Sequence, residues 1–253
     1  MTTAVHKVRS HYDEVAEVYD HRYDANRGKF YYNNISHHVM ERFQKGGRLL
    51  DLGCGTGLFV RHYVNEGGEA VGIDISRGMI GKASDKCGSS DFTIGTAEVL
   101  PFRDGSFDAV SSLLSFSYLK HPEKTLAETY RVLRPGGSIA ICTLGINLFT
   151  RGLPAIYHIS EAMNLKKACF GAFGERYYSV EEMEQLLYEA GFIEVHGKRC
   201  SFAHYNLARP IYDIAKKIEP FVERNIPYLA YNICASGRKT FEEGTESPKK
   251  LEI

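Results

Sequence analysis

The sequence predicts an α/β protein built on a doubly wound sheet. Short apolar segments, such as 49–52 and 70–73, alternate with segments of helical periodicity in the βαβ manner. Three alternate glycines, Gly53, Gly55 and Gly57, follow the first apolar segment, as expected at a turn from a buried strand into a helix. With 253 residues, of which 43% are hydrophobic, the chain is long enough for one domain with a well-buried core.

The elements are expected in the following order. Residues 1–47 are expected to be helical, with an amphipathic helix over 5–24 that carries an apolar and tyrosine stripe and could cover the sheet, and a second helix over 29–44. Residues 48–238 form the main domain. Its expected strands are 48–52, 69–73, 91–95, 107–114, 138–144, 193–202 and 228–236, and its expected helices are 57–66, 77–87, 123–133 and 179–190. Helical insertions are expected at 145–178 and 204–227, and a disordered tail at 239–253.

Composition excludes several classes of protein. Lys plus Arg equals Asp plus Glu, at 31 each, so no global charge favours nucleic acid or an anionic membrane. The cysteines are widely spaced without a C-x-x-C pair, which argues against a zinc ribbon and a disulfide scaffold: Cys54, Cys87, Cys142, Cys169, Cys200 and Cys234. No signal segment and no apolar run near 18 residues is found. We expect a cytoplasmic protein with reduced thiols, no metal and no transmembrane segment, which leaves peripheral membrane contact open.

The glycine loop predicts a nucleotide-type ligand. Asp74 closes the second apolar segment, about 20 residues after the loop, where nucleotide-binding α/β proteins place a carboxylate for ribose hydroxyls. The loop does not fit a dinucleotide G-x-G-x-x-G pattern, because Leu58 and Val60 fall where the third glycine would stand. It also lacks the G-K-[ST] of a phosphate-binding P-loop.

Five ordered motifs between about residues 48 and 144 resemble those of class I S-adenosylmethionine-dependent methyltransferases, and most of all the ubiquinone/menaquinone-type subgroup. They are Asp51-x-Gly53-x-Gly55-x-Gly57, Asp74, Ala97-Glu98-x-Leu100-Pro101-Phe102, Gly105-Ser106-Phe107-Asp108 and Arg131-Val132-Leu133-x-Pro135-Gly136-Gly137. The resemblance implies a Rossmann-like sheet of seven strands with the last strand antiparallel. It also implies S-adenosylmethionine as cofactor and S-adenosylhomocysteine as product.

The resemblance further implies the cofactor contacts. Asp74 would anchor the ribose, the glycines would let the backbone wrap the cofactor, and Asp51 would orient the loop or meet the cofactor's ammonium through water. Thr96 stands where relatives often carry an acid. Tyr12-Asp13-x-x-Ala16-x-x-Tyr19-Asp20 resembles the family's N-terminal lid, so the resemblance makes residues 1–47 a helical lid over the cofactor. We expect Tyr19 or Tyr23 to touch the cofactor, where cation–π attraction to a sulfonium gives roughly 0.5–2 kcal/mol. The full set is Tyr19, Tyr23, Asp51, Gly53, Cys54, Gly55, Gly57, Asp74, Ile75, Met79, Thr96, Ala97, Glu98, Leu114 and Ser115.

The expected reaction is methyl transfer to a small, apolar or aromatic acceptor resembling a quinone precursor. A metabolite amine or phenol and arsenite are alternatives, although arsenite needs clustered cysteines and the spacing indicates none. Candidate bases are His121, His158 and His204, with Tyr118 or Tyr157 as orienting groups, and no catalytic residue is assigned. Other classes remain open: a regulatory or subunit protein that binds S-adenosylmethionine without transfer, and an NAD-binding oxidoreductase.

Overall fold

Seven strands form a single sheet in the order β3-β2-β1-β4-β5-β7-β6. The computed structural model describes residues 3–24, 26–147 and 175–241. The strands are β1 Arg48–Leu52, β2 Glu69–Asp74, β3 Asp91–Ile94, β4 Phe107–Leu113, β5 Leu133–Leu144, β6 Ile193–Cys200 and β7 Asn232–Arg238. The helices are α1 Thr3–Val15, α2 His21–Asp24, α3 Asn26–Met40, α4 Leu58–Asn65, α5 Arg77–Lys86, α6 Pro122–Val132, α7 Val180–Glu189 and α8 Arg209–Asn225.

The strand directions confirm the predicted sheet. β1 to β5 are parallel to one another, whereas β7 lies between β5 and β6 and is antiparallel to both. The usual dinucleotide-binding sheet has the order 3-2-1-4-5-6, without an inserted antiparallel strand. The topology therefore disfavours the NAD-binding alternative.

The two faces of the sheet are covered by separate apolar clusters, as a doubly wound sheet requires. Along β1, Leu50 and Leu52 join the cluster that contains residues of α6 and α7, while Leu49 joins the cluster on the opposite face. That second cluster contains buried residues of α3, α4 and α5, among them Ile35, Phe59 and Ile80. The alternation follows from the two-residue repeat of a strand.

The structure differs from the predicted elements in several bounds. The second helix, predicted over 29–44, is α3 and runs from Asn26 to Met40. The helix predicted over 5–24 is broken, because α1 ends at Val15 and turns over 16–20 lead into α2. β5 begins at Leu133 rather than 138, and its register against β4 shifts between Phe107 and Ala109, which accommodates the Pro-Gly-Gly segment as an irregularity inside the strand. β7 begins at Asn232 rather than 228, because Pro227–Leu229 form a 3-10 turn.

Parts of the predicted insertions and tail lie outside the described residues. Only 145–147 and 175–178 of the first insertion are described, and 242–253 of the tail are not. Lys239, the first residue of the predicted tail, donates its backbone N–H to Gly137 and accepts one from Gly136. This residue therefore extends the pairing of β7 with β5.

The second insertion is helical, as predicted. Glu219 of α8 accepts backbone N–H bonds from Phe202 and Ala203, both at 2.6 Å, and Glu223 accepts one from Ser201 at 2.7 Å. These bonds fix α8 to the segment that leaves β6. None of the helices in the described part of the chain is long and apolar enough to cross a bilayer.

Two glycine substitutions test the packing of the lid. A Cβ at Gly28 would lie 1.7 Å from the backbone oxygen of Arg22, whereas one at Gly81 of α5 meets nothing within 4 Å. We expect Gly28→Ala to lower the free energy of unfolding by about 1–3 kcal/mol, the usual cost of overpacking. Gly81→Ala should raise it by about 0.5–1 kcal/mol, because alanine is the better helix former. Urea unfolding of both variants checks this, and equal effects would contradict the packing described.

Candidate active site

The loop that follows β1 has a backbone that glycine suits best. Gly53, Gly55 and Gly57 have φ angles of 68°, 53° and 78°, all in the left-handed region. A Cβ at Gly53 would lie 2.3 Å from the Cβ of Ser115. A Cβ added at Gly55 would meet only the ring of Tyr19, at 4.0 Å. The space between the glycine loop and the lid, here called the cradle, is therefore open at Gly55. The cradle thus leaves room for a ligand against bare backbone.

Asp74 holds this loop at the carboxyl end of β2. Its two carboxylate oxygens accept backbone N–H bonds from Gly55 and Ser76, each at 2.9 Å. Burial raises the pKa of Asp74, and these two hydrogen bonds oppose part of the rise. A carboxylate has about four acceptor sites, so it retains capacity for a pair of ligand hydroxyls.

The turn after β4 forms the opposite wall. Leu114 has a φ of 60°, rare for a residue with a side chain, and its N–H donates to the oxygen of Cys142 at 2.7 Å. Ser115 Oγ donates to the oxygen of Leu52 at 2.6 Å and lies 2.7 Å from Ser112 Oγ. These bonds tie the end of β4 to the end of β1.

A cavity of about 250 Å³ lies between these walls at the carboxyl edge of the sheet. Most of the residues that the sequence assigned to the cofactor line it: Tyr19, Gly53, Gly55, Asp74, Ile75, Met79, Thr96, Ala97, Glu98, Leu114 and Ser115. Ligands of open α/β sheets bind at this edge. The lining of the cavity therefore fits S-adenosylmethionine, the cofactor that the motifs imply.

Four residues of the predicted set lie outside the lining. Asp51 is buried beneath the loop and accepts a hydrogen bond from Ser111 Oγ at 2.7 Å. Cys54 is buried, with its sulfur 2.7 Å from where a Cβ at Gly72 would stand. Gly57 packs against α5. Tyr23 lies behind Tyr19 with their ring centroids 6.0 Å apart.

The cavity is also lined by residues outside the predicted cofactor set: Val5, Val8, Tyr12, Leu52, Ile73, Gly95, Ser112, Leu113, Tyr118, Leu119 and Lys120. Tyr118 among them is one of the two orienting groups predicted from the sequence. Val8 and Tyr12 belong to the helical stripe of the predicted lid, so this stripe in the sequence could have indicated that α1 lines the cavity. Tyr118 and its neighbours follow β4, and the rule that ligands bind beyond the carboxyl ends of strands points to them.

Three tyrosines line one side of the cavity. The ring of Tyr12 lies edge-on to those of Tyr19 and Tyr118, with centroid separations of 6.0 and 5.8 Å. Burial raises the pKa of each phenol above its ordinary value. They are therefore neutral hydrogen-bonding groups near neutral pH, and Tyr118 Oη donates to Glu175 Oε1 at 3.4 Å.

The segment after β3 lies along the cavity. Thr96 Oγ1 accepts the N–H of Glu98 at 3.3 Å, and Glu98 Oε1 accepts the N–H of His121 at 3.2 Å. Glu98 thus links this segment to the start of α6. The side chain of His121 is 39% exposed, 3.3 Å from Glu123, and does not line the cavity.

The remaining candidate bases are not part of the described lining. His204 is surrounded by the rings of Tyr31, Tyr205 and Tyr231, with centroid separations of 4.9, 4.4 and 5.3 Å. Burial lowers its pKa to about 4, which keeps the imidazole neutral. His158 and Tyr157 lie outside the described residues.

The lid is fastened over the loop by two aspartates. Asp13 Oδ1 accepts bonds from Ser76 Oγ at 2.6 Å and from the N–H of Gly78 at 3.0 Å. Asp20 accepts a bond from Thr56 Oγ1 of the glycine loop at 2.5 Å and one from Lys86 of α5. These contacts hold Tyr12 and Tyr19 against the cavity.

The expectation that no cysteines cluster is wrong. Cys142 of β5 lies opposite Cys234 of β7, and Cys200 of β6 lies close enough to Cys142 for the Cys142 thiol to raise the pKa of Cys200. The fold of β5, β6 and β7 brings together residues that are far apart in the chain. All three are at most 1% exposed and lie outside the cavity, and burial raises the pKa of Cys234. They are inert structural thiols, so the cluster does not favour arsenite.

Asp51 gives a pH-dependent prediction. Burial raises its pKa to about 7, against an ordinary value of 3.8, so the folded state binds the proton more tightly than the unfolded state. Its contribution to stability is therefore present at low pH and is lost as pH rises through about 7. Asp51→Asn, which resembles the protonated acid, should gain thermal stability relative to wild type between pH 5 and pH 8, by about a few degrees.

Thermal melts of both proteins across this range check the prediction, with Asp85→Asn on the exposed side of α5 as control. A difference in melting temperature that does not change with pH would contradict a raised pKa at Asp51.

Part of the chain is similar in sequence to known methyltransferases. A family model described as "Methyltransferase domain" matches residues 50–141. The demethylmenaquinone methyltransferase of Renibacterium salmoninarum is 34% identical over 128 residues, which cover 46% of this chain and 54% of that protein. The corresponding protein of Symbiobacterium thermophilum is 29% identical over 214 residues, which cover 74% of this chain and 85% of that protein.

A malonyl-(acyl-carrier protein) O-methyltransferase of Serratia marcescens is 36% identical over 99 residues, which cover 39% of each chain. The matched part thus spans about half the length of the Renibacterium protein and less of the Serratia protein. Among solved structures, a SAM-dependent methyltransferase of Thermotoga maritima has a TM-score of 0.66 at 24% identity, covering 90% of this chain and 98% of that one.

The structural match shows the fold, and the sequence matches show similarity to methyltransferases over the central part of the chain. Together with the glycine loop and the sheet order they confirm the resemblance drawn from the motifs. The chain is thus similar to class I S-adenosylmethionine-dependent methyltransferases, in sequence most of all to the menaquinone-type subgroup, and its cavity fits S-adenosylmethionine as cofactor.

Proposed function

We propose that this protein transfers the methyl group of S-adenosylmethionine to a small apolar or aromatic acceptor, a phenol or quinol resembling a quinone precursor. The observation that carries the proposal is the cavity itself. It combines a carboxylate and a bare glycine backbone at Asp74, Gly53 and Gly55 with a tyrosine wall on the lid. S-adenosylmethionine supplies an activated methyl group on a sulfonium.

The nucleoside end of the cofactor is assigned to the strand ends β1 to β3. Asp74 has free acceptor capacity for the ribose hydroxyls, while its bonds to Gly55 and Ser76 fix its position. Thr96, Ala97 and Glu98 line the cavity directly after β3, and we assign them to the adenine edge.

The methionine end is assigned to the loop and to the turn after β4. Gly53 and Ser115 are in contact here, and Leu114 lines the same wall. Tyr19 faces Gly55 across the cradle, and we assign its ring to the sulfonium side with Tyr23 as its support. Asp51 is buried beneath the glycine loop, and we propose that it orients this loop or contacts the ammonium of the cofactor through a water molecule.

The acceptor is assigned to the side lined by α1 and the segment after β4. Val5, Val8 and Leu119 supply apolar surface, and the hydroxyls of Tyr12 and Tyr118 supply hydrogen bonds. Such a surface suits an aromatic ring with an oxygen substituent. Holding this ring close to the methyl donor and excluding water supplies most of the rate in such a displacement.

The described lining contains no histidine. Its carboxylates, Asp74 and Glu98, already accept backbone N–H bonds. This favours an acceptor that needs little help to lose a proton, such as a phenol or quinol, over an alcohol. The names of the Renibacterium and Symbiobacterium relatives agree with a quinone-type acceptor, whereas that of the Serratia relative names malonyl-(acyl-carrier protein).

The test is formation of S-adenosylhomocysteine from S-adenosylmethionine with a panel of apolar phenols and short-chain quinols. We expect turnover with at least one quinol, and Tyr118→Phe should lower kcat about tenfold, the value of one hydrogen bond in the transition state. Its affinity for S-adenosylmethionine should stay within about twofold of wild type, because the phenol acts on the acceptor.

Tyr130→Phe is the matched control, because this hydroxyl bonds Thr240 away from the cavity. Cofactor binding without turnover on any acceptor would favour the regulatory alternative. A Tyr118→Phe enzyme with unchanged kcat would contradict the assignment of the acceptor side.

A further inference from the structure

Helix α8 has two apolar faces, and only one of them is covered. Tyr212, Ala215 and Val222 are buried against the rest of the protein. A second set lies on an adjacent stripe, since its members are three or four residues apart, and it faces solvent: Ile211, Ile214, Ile218 and Phe221, with exposed fractions of 57, 62, 40 and 59%. A continuous exposed apolar stripe of this kind marks a contact surface.

A basic rim borders this stripe. Lys217 and Arg224 lie next to the stripe around the helix, and both are exposed; they form this rim. Lys216, by contrast, packs over the ring of Phe30, with its Nζ 4.7 Å from the ring centroid. Two acids of the helix are used internally: Glu219 accepts from two backbone N–H groups, and Glu223 lies 3.2 Å from His38. The exposed part of α8 is therefore an apolar stripe with a cationic border on one side.

The helix lies at the edge of the sheet that holds the cavity. It belongs to the insertion between the carboxyl end of β6 and the start of β7, and β7 is antiparallel, so both ends of the insertion meet that edge. The start of the insertion also contacts the lid. Arg27 donates to the oxygen of Leu207 at 2.8 Å, and the ring of Tyr205 lies 6.3 Å from that of Tyr23.

We propose that α8 docks on an anionic lipid surface, with its apolar stripe in the boundary between headgroups and acyl chains and its basic rim on the lipid phosphates. An amphipathic helix with Ile and Phe on one face and Lys and Arg at its border binds membranes in this way. A second copy of the chain fits less well, because it would bring two cationic rims together.

The inference deepens the proposed function and rests on it in one respect. If the acceptor is a lipid-soluble quinol, docking at α8 presents the carboxyl edge of the sheet to the membrane that holds it. The docking itself needs neither cofactor nor acceptor, so it can be measured separately from methyl transfer.

The experiment is co-sedimentation of the full chain with vesicles of phosphatidylcholine alone or mixed with phosphatidylglycerol. We expect binding to the mixed vesicles that weakens as salt is raised. Ile214→Ser/Phe221→Ser should bind them at least about tenfold more weakly, because the apolar contact is lost. Lys217→Glu/Arg224→Glu should lose the preference for phosphatidylglycerol.

Tyr188→Ser/Ile193→Ser is the matched control, since it removes two exposed apolar side chains at the opposite edge of the sheet and should bind like wild type. S-adenosylhomocysteine binding, measured on every variant, shows that each is folded, and its failure in wild type would count against the proposed function alone. The docking proposal would be overturned if wild type did not bind the mixed vesicles, or if the Ile214→Ser/Phe221→Ser variant bound them as tightly as wild type. So would a wild-type dimer that the same two substitutions dissociate.

Discussion

The carboxylate of Asp74 is the contact on which the rest of the site depends. It accepts one N–H from the glycine loop and one from the start of α5, so a single side chain sets the positions of two segments around the cavity. The loop can adopt this path because Gly53, Gly55 and Gly57 take left-handed φ angles. Residues with a side chain would cost about 1 kcal/mol or more of conformational energy at each of these positions, and glycine avoids this cost.

The lid depends on the same segments. Asp13 accepts a hydrogen bond from Ser76, two residues after Asp74, and Asp20 accepts one from Thr56 inside the glycine loop. The tyrosines of the lid are therefore placed by polar contacts with the glycine loop and the start of α5, and not by their own packing alone. The glycine loop, the lid and the turn after β4 form one connected unit, which suits the proposed methyl transfer, whose rate depends on position and exclusion of water.

The sequence was informative where local chemistry decides the structure. Asp74, the glycines and the strand ends were predictable because a parallel sheet with such a loop has few alternatives. The turn over 16–20 that interrupts the lid helix was not predictable from the local pattern. Asp20 in this turn bonds Thr56 and Lys86, both of which are distant in sequence. The clustering of Cys142, Cys200 and Cys234 was missed for the same reason, since strand order and register create it.

The most direct test of the account is calorimetric titration of the full chain with S-adenosylmethionine and S-adenosylhomocysteine, using wild type, Asp74→Ala and the surface control Asp85→Ala. Thermal melts of each protein verify folding. The account predicts micromolar binding to wild type and Asp85→Ala, and binding at least about tenfold weaker to Asp74→Ala, because a buried charged acceptor of two hydroxyls is lost. Folded wild type that binds neither ligand, or an Asp74→Ala protein that binds them equally well, would contradict it.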